Sequence, residues 1–304
     1  MRGGSDHAIG RRGLAGWVPG SGQWARVLRA LLGSRTATFG FVLSVCLLLT
    51  AVLAPWLAPY RQDEIHPIDA LMAPSAKYWL GTDDLGRDIL SRIIFGARVS
   101  LMVGTIAIGI AAMVGVPLGL AAGYLGGKVD GLIMRVMDAL LAFPAILLAI
   151  ALMAVLGPSL ENAMIAIGII SVPAFARITR ANVLSLREKE FVEAARALGG
   201  GAVYQAVVVI LPNCLSPIIV QASLGVGNAI LVEAALSFLG LGVQPPEPSW
   251  GSMLAFGRSL LGQAPWYATF PGLSIFVTVL ALNFLGDGIR EAVDPRLRSV
   301  ERGA

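Results

Sequence analysis

The sequence predicts an all-α polytopic membrane protein with six transmembrane helices, on three observations. Hydrophobic residues make up 56% of the 304 and charged residues only 14%, with mean hydropathy +0.75; soluble domains carry about 25% charged residues. The uncharged residues gather into runs long enough to cross about 30 Å of hydrocarbon at 1.5 Å per residue. Lysine and arginine fall unevenly between those runs, and that bias orients them.

Residues 1–35 read as a basic, glycine-rich cytoplasmic leader, with six arginines against Asp6 alone. Residues 36–60 carry no charge and give the first transmembrane helix. Its length exceeds the apolar core of a cleaved signal peptide, so it is expected to be retained. Residues 61–98 are polar, five basic against six acidic, and form an outer segment. The membrane core follows over 99–290.

The second span is expected over Val99–Gly127. Ala107, Ala111, Gly115, Gly119, Gly123 and Gly127 recur there every four residues, a flat stripe on which another helix packs closely. Lys128, Asp130, Arg135 and Asp138 then mark a polar turn. The third span runs over Ala139–Leu160 and the fourth from Asn162 to about Arg180, weakened by Pro173. A polar loop over 181–216 precedes a fifth span from Pro217 to about Gly240. An outer loop carries Gln244–Gly251. The sixth span is Tyr267–Leu285, and 291–304 form the tail.

Charge then sets the topology. Six basic residues in the leader, five in Arg177–Arg196, four from Arg290 onward, Lys128 and Arg135 fall on one side, seventeen in all; six fall on the other. The richer side is cytoplasmic, which places both termini and the 181–216 loop there.

Several chemistries are missing. A phosphate-binding loop needs G-x-x-x-x-G-K-[ST]; the nearest match, at Gly127-Lys128, has Ala122 and Val129 at the first glycine and hydroxyl positions. No G-x-S-x-G or H-E-x-x-H occurs. Cys46, Cys214, His7 and His66 are too scattered for a metal site or disulfide framework. No catalytic residue, cofactor or metal is expected, and without aromatics on a basic face, no nucleic acid. Glu233 is the one ionisable residue well inside a span. It is a candidate for the substrate pathway, or a carboxylate hydrogen-bonded near the outer end.

The 181–216 loop is more informative. Phe191, Val192, Ala195 and Leu198 have helical spacing, Gly199-Gly200-Gly201 allows a reversal, and Ala202–Leu211 reads as a second short helix stopped by Pro212. Glu193 stands near the start of the first helix, where its carboxylate is favoured. Two readings remain open on these grounds: a grip for another protein, or an interfacial helix on membrane lipid.

At these residues the chain resembles the permease subunits of ATP-binding-cassette (ABC) importers. Their cytoplasmic loop reads EAA, three residues, Gly, nine residues, I-x-L-P; Glu193, Ala194, Ala195, Gly199, Leu211 and Pro212 match, with Val209 in place of isoleucine. Leu80–Asp88, Gly96–Leu101, Leu236–Pro246, Gly286–Arg290 and Asp294–Leu297 are similar, in order, to the dipeptide/oligopeptide/nickel permeases of C type. The resemblance implies a type I ABC importer permease fold in a bacterial inner membrane. It also implies half of a translocation pore for di- or oligopeptides, nickel, glutathione or another small solute. The implied partners are a homologous second permease, two ATPase subunits docked on the EAA loop, and an extracytoplasmic solute-binding protein. A self-contained channel or secondary carrier is the rival; it predicts inverted repeats, and none is evident.

Overall fold

The structure, a computed structural model, describes residues 34–293, so the leader before Ser34 and the tail beyond Val293, with Asp294–Leu297, lie outside it. Its helices are α1 (Arg35–Val52), α2 (Ala54–Leu57), α3 (Ile89–Leu125), α4 (Gly127–Leu141), α5 (Ala145–Leu156), α6 (Leu160–Leu186), α7 (Glu190–Ala197), α8 (Leu211–Phe238), α9 (Trp250–Arg258) and α10 (Trp266–Val293). A π-helix, Tyr204–Ile210, leads into α8. Five helices are long and apolar enough to cross a membrane, and the bent pair α4–α5, counted as one crossing, makes six.

The small-residue stripe packs α3 on α6. A methyl group on Gly115 would lie 2.7 Å from the Val172 carbonyl oxygen, and one on Gly123 2.8 Å from Val183 Cβ. At Gly119 the neighbour is the Ala176 carbonyl itself. Only glycine permits backbones this close. The stripe ends at Gly123, because Gly127 meets nothing within 4 Å.

Several sequence expectations need correction. The second span begins ten residues early, at Ile89, because Asp88 caps it by accepting from Ser91 N and Arg92 is buried rather than solvated. The first helix breaks at Leu53, ahead of α2 and Pro55. The polar turn at 128–138 is the helix α4, its acids paired across to α6: Arg180 clasps the half-buried Asp130 with two bonds of 2.5 and 2.6 Å, and Arg177 reaches the exposed Asp138 at 2.6 Å. The third span is therefore two helices meeting at 90°; Pro144 bars helical geometry from the residue before it. The fourth span, expected to be weak, is one continuous helix and the most buried span described. Pro173 sits inside α6, buried against its neighbours. The last span extends past Leu285 to Val293.

The outer segment folds on its own hydrogen bonds. Asp83 Oδ1 accepts from Leu85 N and Arg87 N, both at 2.9 Å, and Oδ2 from Arg87 Nε at 2.6 Å. Trp266 Nε1 donates to Thr82 O and the Tyr267 hydroxyl to Asp84, at 3.3 and 3.1 Å, fixing the segment to the start of α10. The Lys77 ammonium, then the Tyr78 hydroxyl, hold the Asp69 carboxyl below the usual carboxylate range.

Candidate functional site

Helix α7 stands between α6 and α8 with Val192 as its single buried residue. Eight residues are too few for a stable helix alone in water, so its neighbours must hold it. Val192 enters the main apolar cluster beside Val183, Ala206 and Ile210, against which Val209 and Leu211 also pack. Glu193 and Ala194 are exposed, Ala195 is half-buried, and Glu193's side chain makes no hydrogen bond among the described residues. Phe191 and Leu198, expected on the apolar face, are exposed as well.

The turn after α7 falls on the first of the three glycines, and the second lies close to the end of α7, where a methyl group would stand 2.7 Å from Ala195 O. Gly199 has φ +83°, the left-handed region that costs other residues about 1–2 kcal/mol. Gly200 N then donates to Ala195 O at 2.9 Å, closing the helix end. The second short helix with a proline stop is overturned. Pro212 lies in the first turn of α8, and the π-helix runs straight into it. Pro212 therefore lies within the continuous span Tyr204–Phe238 instead of ending a loop, at the point where π-helical bonding gives way to α8. The loop proper is thus confined to about 187–203.

One residue that matters here gave little sequence signal. Gln205, 4% exposed, accepts from the Tyr124 hydroxyl at 3.0 Å and donates from Nε2 to Gly200 O at 2.6 Å. It is a lone amide in the apolar run Ala202–Leu211, and buried polar groups require partners. That isolation was the available clue.

Glu233, the pathway candidate, is fully buried near the C-terminal end of α8. Its Oε1 accepts from Ser237 Oγ at 2.6 Å, Ser237 Oγ accepts from Val243 N at 3.1 Å, and Ser249, the N-cap of α9, lies against the same carboxyl. The loop after α8 is strung on this carboxyl, and Gly242 and Gly251 pass close to Ser237 and Ala234. Among the described residues, no group of three or more His, Cys, Asp or Glu could hold a metal ion.

The described residues thus form a multi-span helical body that carries one short exposed helix on a glycine turn. The chain belongs to the family described as binding-protein-dependent transport system inner membrane component, which matches residues 115–299; residues 22–74 match the N-terminal TM domain of oligopeptide transport permease C. It is 50% identical to the dipeptide transport system permease protein of Alkalihalophilus pseudofirmus, over 91% of each chain. Identity is 46% to the di/tripeptide permease of Pseudomonas aeruginosa, over 88% of this chain and 90% of that one. It is also 46% to the glutathione transport permease of Escherichia coli O6:K15:H31, over 90% of each. A chain of the methionine ABC transporter MetNI, inward facing, shares the fold with TM-score 0.55 at 18% identity, covering 67% of this chain and 96% of that one. The ABC importer permease fold expected from the sequence is borne out.

Proposed function

We propose that this chain forms half of the pore of an ATP-driven importer of short peptides and that α7 is the handle by which an ATPase subunit works it. The observation that supports the reading is α7 itself: a helix presenting Glu193 and Ala194, with Val192 as its one buried residue and Gly199 as its turn. Charge argues against the lipid alternative. The helix carries Glu190 and Glu193 against one Arg196, whereas interfacial helices place lysine and arginine on the polar face and meet an anionic leaflet. The named relatives import dipeptides, tripeptides or glutathione, itself a short peptide. A homologous second permease would complete the pore, two ABC ATPases would hydrolyse the ATP, and a solute-binding protein would deliver peptide to the outer face. Both termini then face the cytoplasm, as the basic residues require. Glu233 holds the outer loop.

The test is co-purification with uptake of a labelled dipeptide. Glu193→Lys is expected to reduce retained ATPase by about tenfold or more, as loss of an interface anchor does, and to stop import. Gly199→Trp forces a side chain into the left-handed turn and is expected to do the same. Full ATPase retention and import in both variants would sink the handle.

A further inference from the structure

We infer that Tyr124 and Gln205 are positioning residues of the transport cycle, forming with Gly200 a relay that ties α7 to the inner end of α3. The donors run in one direction. The Tyr124 hydroxyl donates to Gln205 Oε1 (3.0 Å), Gln205 Nε2 to Gly200 O (2.6 Å), and Gly200 N to Ala195 O within α7 (2.9 Å). The first two bonds share the Gln205 amide and strengthen each other; the third starts from the neighbouring peptide group and fixes the Gly200 turn to α7. A second tether reaches the same place from the other side of α7, because Arg187 Nη1 donates to Gly123 O at 3.1 Å. Helix α7 is therefore slung between two anchors, three residues before it and three after, that land on the adjacent residues Gly123 and Tyr124.

Apolar packing joins the same elements, since Leu120, Tyr124, Val192 and Ala206 belong to one cluster, but an apolar groove of about 240 Å³, bordered by Leu120, Ala121, Tyr124, Ala202, Val203 and Ala206, opens between the last turns of α3 and the π-helix. The relay adds a directed polar link beside that groove. Beyond Tyr124, α3 ends at Leu125, and Gly126 and Gly127 both take positive φ, +66° and +53°. Helix α4 beyond that hinge is clasped to α6 through Asp130–Arg180 and Asp138–Arg177. A displacement of α7 thus pulls on the last turn of α3, next to the Gly126–Gly127 break before α4, and packed bodies that meet at such breaks switch as units.

The inference rests on the handle reading, and the experiment separates the two. The assembled importer, with its partner permease, ATPases and binding protein, is reconstituted in liposomes, and import per ATP hydrolysed is measured. Tyr124→Phe removes one oxygen from a half-buried ring, so the complex is expected to assemble and the ratio to fall about three- to tenfold. Gln205→Leu is expected to match it, and the double variant to be no worse than either single, since each cuts the same chain. A wild-type ratio in both singles, effects that multiply in the double, or a ratio that falls only in step with loss of assembled complex each overturn the relay. Glu193→Lys, run in parallel, tests the handle. If it strips the ATPases while Tyr124→Phe and Gln205→Leu import normally, the relay alone is wrong. If it leaves them bound, the handle is.

Discussion

Leucine at Gly119 is expected to cost the permease most of its folded protein, whereas alanine at Gly109, on the same helix, should leave it intact. The two glycines differ only in what surrounds them. Nothing lies within 4 Å of a methyl group at Gly109, but one at Gly119 meets the Ala176 carbonyl and stands 2.8 Å from Thr179 Cβ. Inserting bulk into a packed core costs about 1–3 kcal/mol when side chains can give way. Here the obstacle is backbone of α6, which cannot rotate aside, so the helices must separate along the seam from Gly115 to Gly123. Separation also pulls Arg187 from Gly123 O and Arg180 from Asp130. Extractable, monodisperse protein is expected to fall by about tenfold or more. Gly109→Ala should be neutral or stabilising by up to about 1 kcal/mol, because alanine is the better helix former. A Gly119→Leu chain that melts like wild type would disprove the seam.

The seam was legible because its signal is local: small residues every fourth position need no knowledge of the partner. Gly199 was legible for the same reason, since a left-handed turn leaves few residues to choose from. What failed were residues whose meaning lies far along the chain. Asp130 and Asp138 read as a polar turn, because their partners Arg180 and Arg177 lie 50 and 39 residues on, in the same later helix as Val172 and Ala176, on which α4 packs Met137. Arg92 looked like loop charge until Asp83 and the Gln62 carbonyl accounted for it. Pro212 reads as a stop because proline removes a helical donor, yet it sits inside the span Tyr204–Phe238, where the π-helix gives way to α8. The outer motif Leu80–Asp88 was recognised by resemblance before it was understood. The structure gives its parts separate tasks: Gly81 and Gly86 at positive φ against Trp266 and His66, Asp83 as acceptor, Arg87 as its counter-ion, Asp88 as the cap of α3.

That motif carries the second large effect. Asp83→Ala is expected to destabilise the chain by about 3–5 kcal/mol, the range for removing one partner of a buried ion pair. Asp83 is fully buried, and it faces two guanidinium groups that are 8% and 4% exposed, Arg87 at 2.6 Å and Arg92 at 3.6 Å. Without the carboxylate, two positive charges are left in a site that excludes water, and the Leu85 and Arg87 amides lose their shared acceptor. Asp83→Asn separates these contributions. It keeps an oxygen for the two amides while removing the charge, so it should recover part of the loss but not most of it. The Arg87→Met, Asp83→Ala pair should be less damaged than Asp83→Ala alone, because one orphaned charge goes with its partner. Melting temperature of the extracted protein reads all three, and the damage should spread inward: Thr82 and Asp84 hold Trp266 and Tyr267, so α10 loses its outer anchor. Equal stability of Asp83→Ala and wild type would mean that the outer segment folds on apolar contacts, with the ion pairs contributing nothing.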